Sequence, residues 1–138
     1  MCKRILVVDD EEPFREIVAS MLSYEGYQCR CVPSGIDGLK LLETGERFDL
    51  ITSDIANSHM WGTDFLVEVK RRFPELRTLV LTGCQDLSEY PACVPKSAYD
   101  GYLHKPFERE QLSLAVRRAM EPHRDGGADN ARNAARGF

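Results

Sequence analysis

The stretch KRILVVD is a continuous apolar run rich in β-branched residues, the pattern of a strand covered on both faces, and RFDLITSD and RTLVLTG repeat it. YQCRCVP alternates as a shorter strand, and YLHKP reads as a fifth. Helical spacing fills the intervals. Phe14, Ile17, Val18, Met21 and Leu22 form one stripe of a helix that Pro13 opens and Gly26 stops. Ser34 is placed to cap a second helix through Ile36, Leu39 and Leu42, stopping near Gly45. A third turns Phe65, Leu66, Val69 and Phe73 inward and ends at Pro74; the last, from Glu108 to Met120, carries Leu112, Ala115, Val116, Ala119 and Met120 on one face. Strands alternating with helices predict an α/β fold, a parallel sheet with helices on both faces. Two segments depart from the rhythm. Pro91 and Pro95 predict a shortened, broken or mobile helix between the fourth and fifth strands, and the Gly-, Ala- and Asn-rich tail 122–138 predicts no ordered structure.

A chain of 138 residues bounds the fold to one domain, here 1–121. With 43% hydrophobic and 29% charged residues it has the composition of a soluble globular protein, and no apolar run approaches the ~18 to 20 residues of a membrane span. The N-terminus has too few apolar residues for a secretory signal, so the expected setting is cytoplasmic, with no membrane partner. Five cysteines, Cys2, Cys29, Cys31, Cys84 and Cys93, form no CxxC pair and read as reduced thiols. Cys29 and Cys31 share a strand face and read as small buried hydrophobes rather than a metal pair. A net charge of −4 without a basic stripe argues against direct nucleic-acid binding.

In parallel sheets ligands sit outside the carboxyl ends of the strands. Asp9, Asp10, Asp54, Thr82 and Lys105 all stand at such ends. Three carboxylates gathered there repel one another, and a divalent cation removes the conflict. Mg²⁺ suits the donors, because it takes one or two carboxylates and keeps positions for water and phosphate oxygens. Lys105 adds a fixed positive charge and Thr82 a hydroxyl. Together these groups match the three oxygens of a transferring phosphoryl group, with a carboxylate as nucleophile. Taken singly, each residue has a plainer reading. Asp54 is a turn acid or helix cap, Asp9 and Asp10 caps of the first helix, Glu11 and Glu12 first-turn acids, Thr82 a turn residue, Lys105 a surface charge, and His59 and Trp61 loop surface.

The segments VVDDEE, SDI followed by MWG, LTG and GYLHKPF, in this order and spacing from residue 3 to about 120, resemble the receiver domain of two-component response regulators. The resemblance implies a doubly wound five-stranded parallel sheet of flavodoxin-like type, strand order 2-1-3-4-5. It further implies that Asp54 is the phosphoacceptor, and that Asp10, Asp54 and the backbone carbonyl of Ala56 ligate Mg²⁺, with Asp9 acting through water. Lys105 would bridge to the phosphoryl oxygens, Thr82 would hydrogen-bond them, and Tyr102 would be an aromatic switch coupled to Thr82. The Lys105-Pro106 peptide would be cis. The implied donor is a histidine kinase or histidine phosphotransfer protein, and the implied readout a downstream protein or self-dimer. Such a domain is no enzyme beyond its own phosphorylation and dephosphorylation.

Departures from the family pattern fall near Asp54 and Thr82. Past Asp54 and two further residues, where the family commonly reads Met-Pro, stand Asn57 and Ser58, and without that proline the loop is less constrained. Ala56 and Cys84 replace polar side chains that in many members govern attack of water on the acyl phosphate, which implies slow dephosphorylation. Two rival readings are a phosphorylation-independent pseudo-receiver serving as a scaffold, and a haloacid-dehalogenase-type phosphohydrolase. The second needs an acid where Ala56 stands.

Overall fold

The computed structural model of the chain describes residues 2–54, 61–82 and 99–121. In chain order the elements are β1 (Arg4–Val8), α1 (Glu12–Tyr24), β2 (Gln28–Val32), α2 (Gly35–Glu43), β3 (Leu50–Asp54), α3 (Trp61–Arg72), β4 (Arg77–Thr82), β5 (Gly101–His104) and α4 (Arg109–Ala119). The five strands form one sheet in the order β2-β1-β3-β4-β5, and every pairing is parallel. This is the flavodoxin-like order expected. The prolines Pro91 and Pro95, the loop bearing Ala56 and His59, Cys84, Cys93 and the tail 122–138 lie outside the described residues.

Successive strand side chains point to opposite faces, so each strand feeds two cores. Ile5, Val7, Leu50, Leu79 and Leu81 pack with Val18 and Leu22 of α1 and Leu112, Ala115, Val116 and Ala119 of α4. Leu6, Val8, Ile51 and Val80 pack with Leu42 of α2 and Phe65, Leu66 and Val69 of α3. Local chemistry sets the helix ends. Pro13 occupies the first turn of α1, where its missing N–H costs nothing, and Gly26 leaves the helix at φ +98°. Ser34 Oγ accepts from the Asp37 amide at 3.1 Å, the predicted cap of α2. The Glu108 amide donates to Gln111 Oε1 at 2.7 Å at the start of α4.

Two predicted core residues are half exposed: Ile17 at 50% and Ile36 at 58%. Around α1, Ile17 lies about 100° from Val18 and 140° from Leu22, the two fully buried positions, and so falls on the margin of the stripe. In α2 the cause is glycine. A Cβ on Gly35 would stand 2.8 Å from Phe65 Cβ, and one on Gly38 3.3 Å from the Phe65 ring. The helix turns its glycines onto α3, and Ile36 is carried outward. Gly35→Ala is therefore expected to cost about 1 to 3 kcal/mol, outweighing alanine's better helix propensity. Gly38→Ala should cost less, because ring atoms yield more easily than a Cβ. Urea unfolding decides the matter, and an unchanged or higher midpoint for Gly35→Ala would refute the packing account.

Candidate functional site

Alternation along the strands also builds the site. Ile5 and Val7 face α1 and α4, and the same parity carried one step past β1 brings Asp9 to that side. Leu50, Thr52 and Asp54 share the parity on β3, as do Leu103 and Lys105 at the end of β5. Register holds these levels together: Val7 pairs with Thr52, Asp54 with Leu81, and Leu81 with Leu103. Asp9, Asp54 and Lys105 are thus the top layer of the core that α1 and α4 cover.

Lys105 Nζ lies 2.6 Å from Asp54 Oδ2 and 3.9 Å from Asp9 Oδ2. Both carboxylates are buried, Asp9 at 2% and Asp54 at 8% exposure. Burial raises the Asp9 pKa to about 6, and the Asp54 and Asp10 charges add to the rise, while the Glu11 amide and Lys105 oppose it. Asp9 Oδ1 accepts from that Glu11 amide at 2.9 Å, and the Asp9 carbonyl accepts from the Arg15 guanidinium at 2.7 Å. Asp9 is not the cap of α1, since the N-cap is Glu11 and no side chain caps the helix; it accepts from the amide of that N-cap residue instead. Its carboxylate holds the entry to α1 and faces the lysine at once.

Asp10 follows Asp9 in sequence but is exposed. The electrostatic conflict read from the acids at the sheet edge therefore falls on Asp9 and Asp54. Thr82 ends β4 in register with His104. The Lys105-Pro106 peptide is cis, as the resemblance implied. Tyr102 is half buried, with its ring edge-on to Tyr99 at 6.2 Å and to His104 at 5.5 Å. Ala56 lies outside the described residues.

Among the described residues no three His, Cys, Asp or Glu side chains form a ready cage for a metal ion. What stands here is a pair of buried carboxylates sharing one ammonium, with a third acid exposed beside them. Hard oxygens in that number fit Mg²⁺, which needs few carboxylates and retains water. Burial first, and the neighbouring acids after it, make the charged form of Asp9 costly, a cost that a nearby cation would reduce.

Phe14 has a role that its place in an apolar stripe did not reveal. Lys105 Nζ sits 3.9 Å from the centre of its ring, and Phe107 meets it edge-on at 5.9 Å. The ring face attracts the ammonium and helps hold it over the acids. Neither Arg15 nor His104 stands out in the sequence by type or spacing.

A sequence profile of the response regulator receiver domain matches residues 5–117. The chain is 30% identical over 118 residues to a putative response regulator NtrX-like protein of Rickettsia bellii, an alignment covering 85% of this chain and 24% of that protein. It is 34% identical over 120 residues to response regulator MprA of Mycobacterium ulcerans, covering 87% and 50%. Among solved structures, chemotaxis protein CheY4 of Vibrio cholerae is similar with a TM-score of 0.78 at 26% identity, covering 86% of this chain and 99% of that one. The chain thus spans a quarter to a half of the length of these two curated relatives.

Proposed function

The chain belongs to the response regulator receiver domain family of two-component signalling, and from that premise we propose that it accepts a phosphoryl group on Asp54 from a phosphohistidine of a kinase or phosphotransfer protein. The observation that carries this reading is the buried Asp54 carboxylate at the end of the central strand, 2.6 Å from Lys105 Nζ and sharing that ammonium with Asp9.

In the proposed step an Asp54 carboxylate oxygen attacks phosphorus, a P–O bond forms, and the P–N bond to the donor histidine breaks with its electron pair returning to the imidazole. Lys105 moves its contact from Asp54 Oδ2 to a phosphoryl oxygen, and the Thr82 hydroxyl donates to another. Asp10, Asp54 and the Ala56 carbonyl would hold Mg²⁺, with Asp9 acting through water. When bound there, Mg²⁺ would supply positive charge to the phosphoryl oxygens. Phe14 supports this reading, because it limits where the Lys105 ammonium can go. Phosphorylation then shifts a two-state equilibrium through Thr82 and Tyr102, read by a downstream protein or a second copy of the domain. Its chemistry is confined to gaining and losing its own phosphate.

The test is incubation with phosphoramidate in Mg²⁺ or in EDTA, followed by intact mass. One phosphoryl group is expected in Mg²⁺, labile to hydroxylamine as an acyl phosphate is, with little in EDTA and none in Asp54→Asn. Incorporation that survives in folded Asp54→Asn would remove Asp54 from the role. No incorporation in the folded wild-type protein would leave a phosphorylation-independent binding module.

A further inference from the structure

His104 occupies the opposite face of β5 from Leu103 and Lys105. Its ring stands edge-on to Tyr102 at 5.5 Å, and Tyr102 in turn to Tyr99 at 6.2 Å. Register places it beside Thr82, and Tyr102 beside Val80. Its Nε2 is buried and finds no hydrogen-bond partner among the described residues. A buried polar nitrogen without a partner raises the free energy of the state that contains it, and any rearrangement that supplies a partner is favoured.

We propose that His104 is a positioning residue for the switch: its ring lies edge-on against resting Tyr102, and the cost of its unpartnered Nε2 outweighs that contact, so that it biases the domain toward the state in which Tyr102 has moved. This rests on the reading of Asp54 as phosphoacceptor and of Tyr102 as the responding aromatic. The Nε2 gains a hydroxyl or water partner when Tyr102 leaves. An apolar residue at 104 would relieve the resting state alone, so activation would become harder. A residue that merely filled space would leave that balance unmoved.

The experiment titrates the full chain with beryllofluoride in saturating Mg²⁺, an analogue of the phosphoryl group. His104→Val is expected to bind about tenfold more weakly than wild type, the factor that about 1.4 kcal/mol makes, while melting no lower than wild type without ligand. His104→Gln, which returns a polar amide at similar reach, should restore affinity to within about twofold of wild type, a difference of about 0.4 kcal/mol. In a Tyr102→Leu background, His104→Val should add no further weakening, because the coupling runs through the tyrosine. Wild-type affinity in His104→Val, or an equal loss with and without Tyr102, overturns the inference and leaves the phosphoacceptor reading standing. If the valine variant does not fold, weak binding by folded His104→Gln overturns it instead. Failure of wild type to bind beryllofluoride would overturn the phosphoacceptor reading, and this inference with it.

Discussion

Replacing Lys105 by methionine should destabilise the metal-free protein by about 2 to 4 kcal/mol at neutral pH, a large fraction of the stability of a domain this size. Methionine keeps an unbranched apolar stem over the Phe14 ring, so the change removes charge more than packing. What remains is two buried carboxylates, Asp54 and Asp9, without the ammonium that lies 2.6 and 3.9 Å from them. Removing one partner of a buried ionic group leaves the other charge uncompensated, which costs far more than the intact pair contributes. Mg²⁺ can stand in for the lost charge. The stabilisation on adding the ion should therefore be larger in Lys105→Met than in wild type. Urea unfolding in EDTA and in Mg²⁺ provides both comparisons. Equal stability of the two proteins in EDTA would mean that the lysine does not neutralise these acids.

The sheet was legible because parallel strands buried on both faces are written as uninterrupted apolar runs, and three of the five end at or just before one of the charged groups that meet around Lys105. Asp9, Asp54 and Lys105, which meet in the structure, are marked by that position. Helix faces were less legible. A stripe counted on large apolar residues assigns Ile36 to the core, whereas Gly35 and Gly38 make the close contact with Phe65. Glycine leaves no mark in a hydrophobic pattern, although it decides which side of α2 turns inward.

The pair Asp9-Asp10 shows a second limit. As letters the two are equivalent, yet one is 2% exposed and the other lies on the surface. The period of two that separates Ile5 and Val7 from Leu6 and Val8 does not stop at the last hydrogen-bonded residue of β1, and carried on it distinguishes the two acids. The same rule separates Lys105 from His104 on β5. One face of the sheet ends in the charged layer, and the other ends in aromatic contacts. Residue type identified the chemistry; strand parity assigned each residue to a face.

Asp9→Asn is expected to stabilise the metal-free protein by about 2 to 3 kcal/mol at about pH 7 and to make little difference, about 0.5 kcal/mol, near pH 4. The Asp9 pKa, ordinarily 3.8, stands at about 6 in the folded protein, chiefly because burial disfavours the charged form. Across that interval the folded state binds more protons than the unfolded one, so the Asp9 contribution to stability falls as pH rises from about 4 to about 6 and is flat beyond. Each unit of separation is worth about 1.4 kcal/mol, which sets the ceiling near 3 kcal/mol. Asparagine keeps an oxygen to accept from the Glu11 amide at the entry to α1, so the substitution removes the titration and spares the turn. Subtracting the two stability curves cancels the other titrating groups. Mg²⁺ should narrow the gap at neutral pH, because the ion lowers the cost of the charged carboxylate in wild type and loses a negative charge to interact with in the variant. A difference that does not change between about pH 4 and 7, or a wild-type protein that is the more stable at neutral pH without metal, would show that Asp9 carries no such burden.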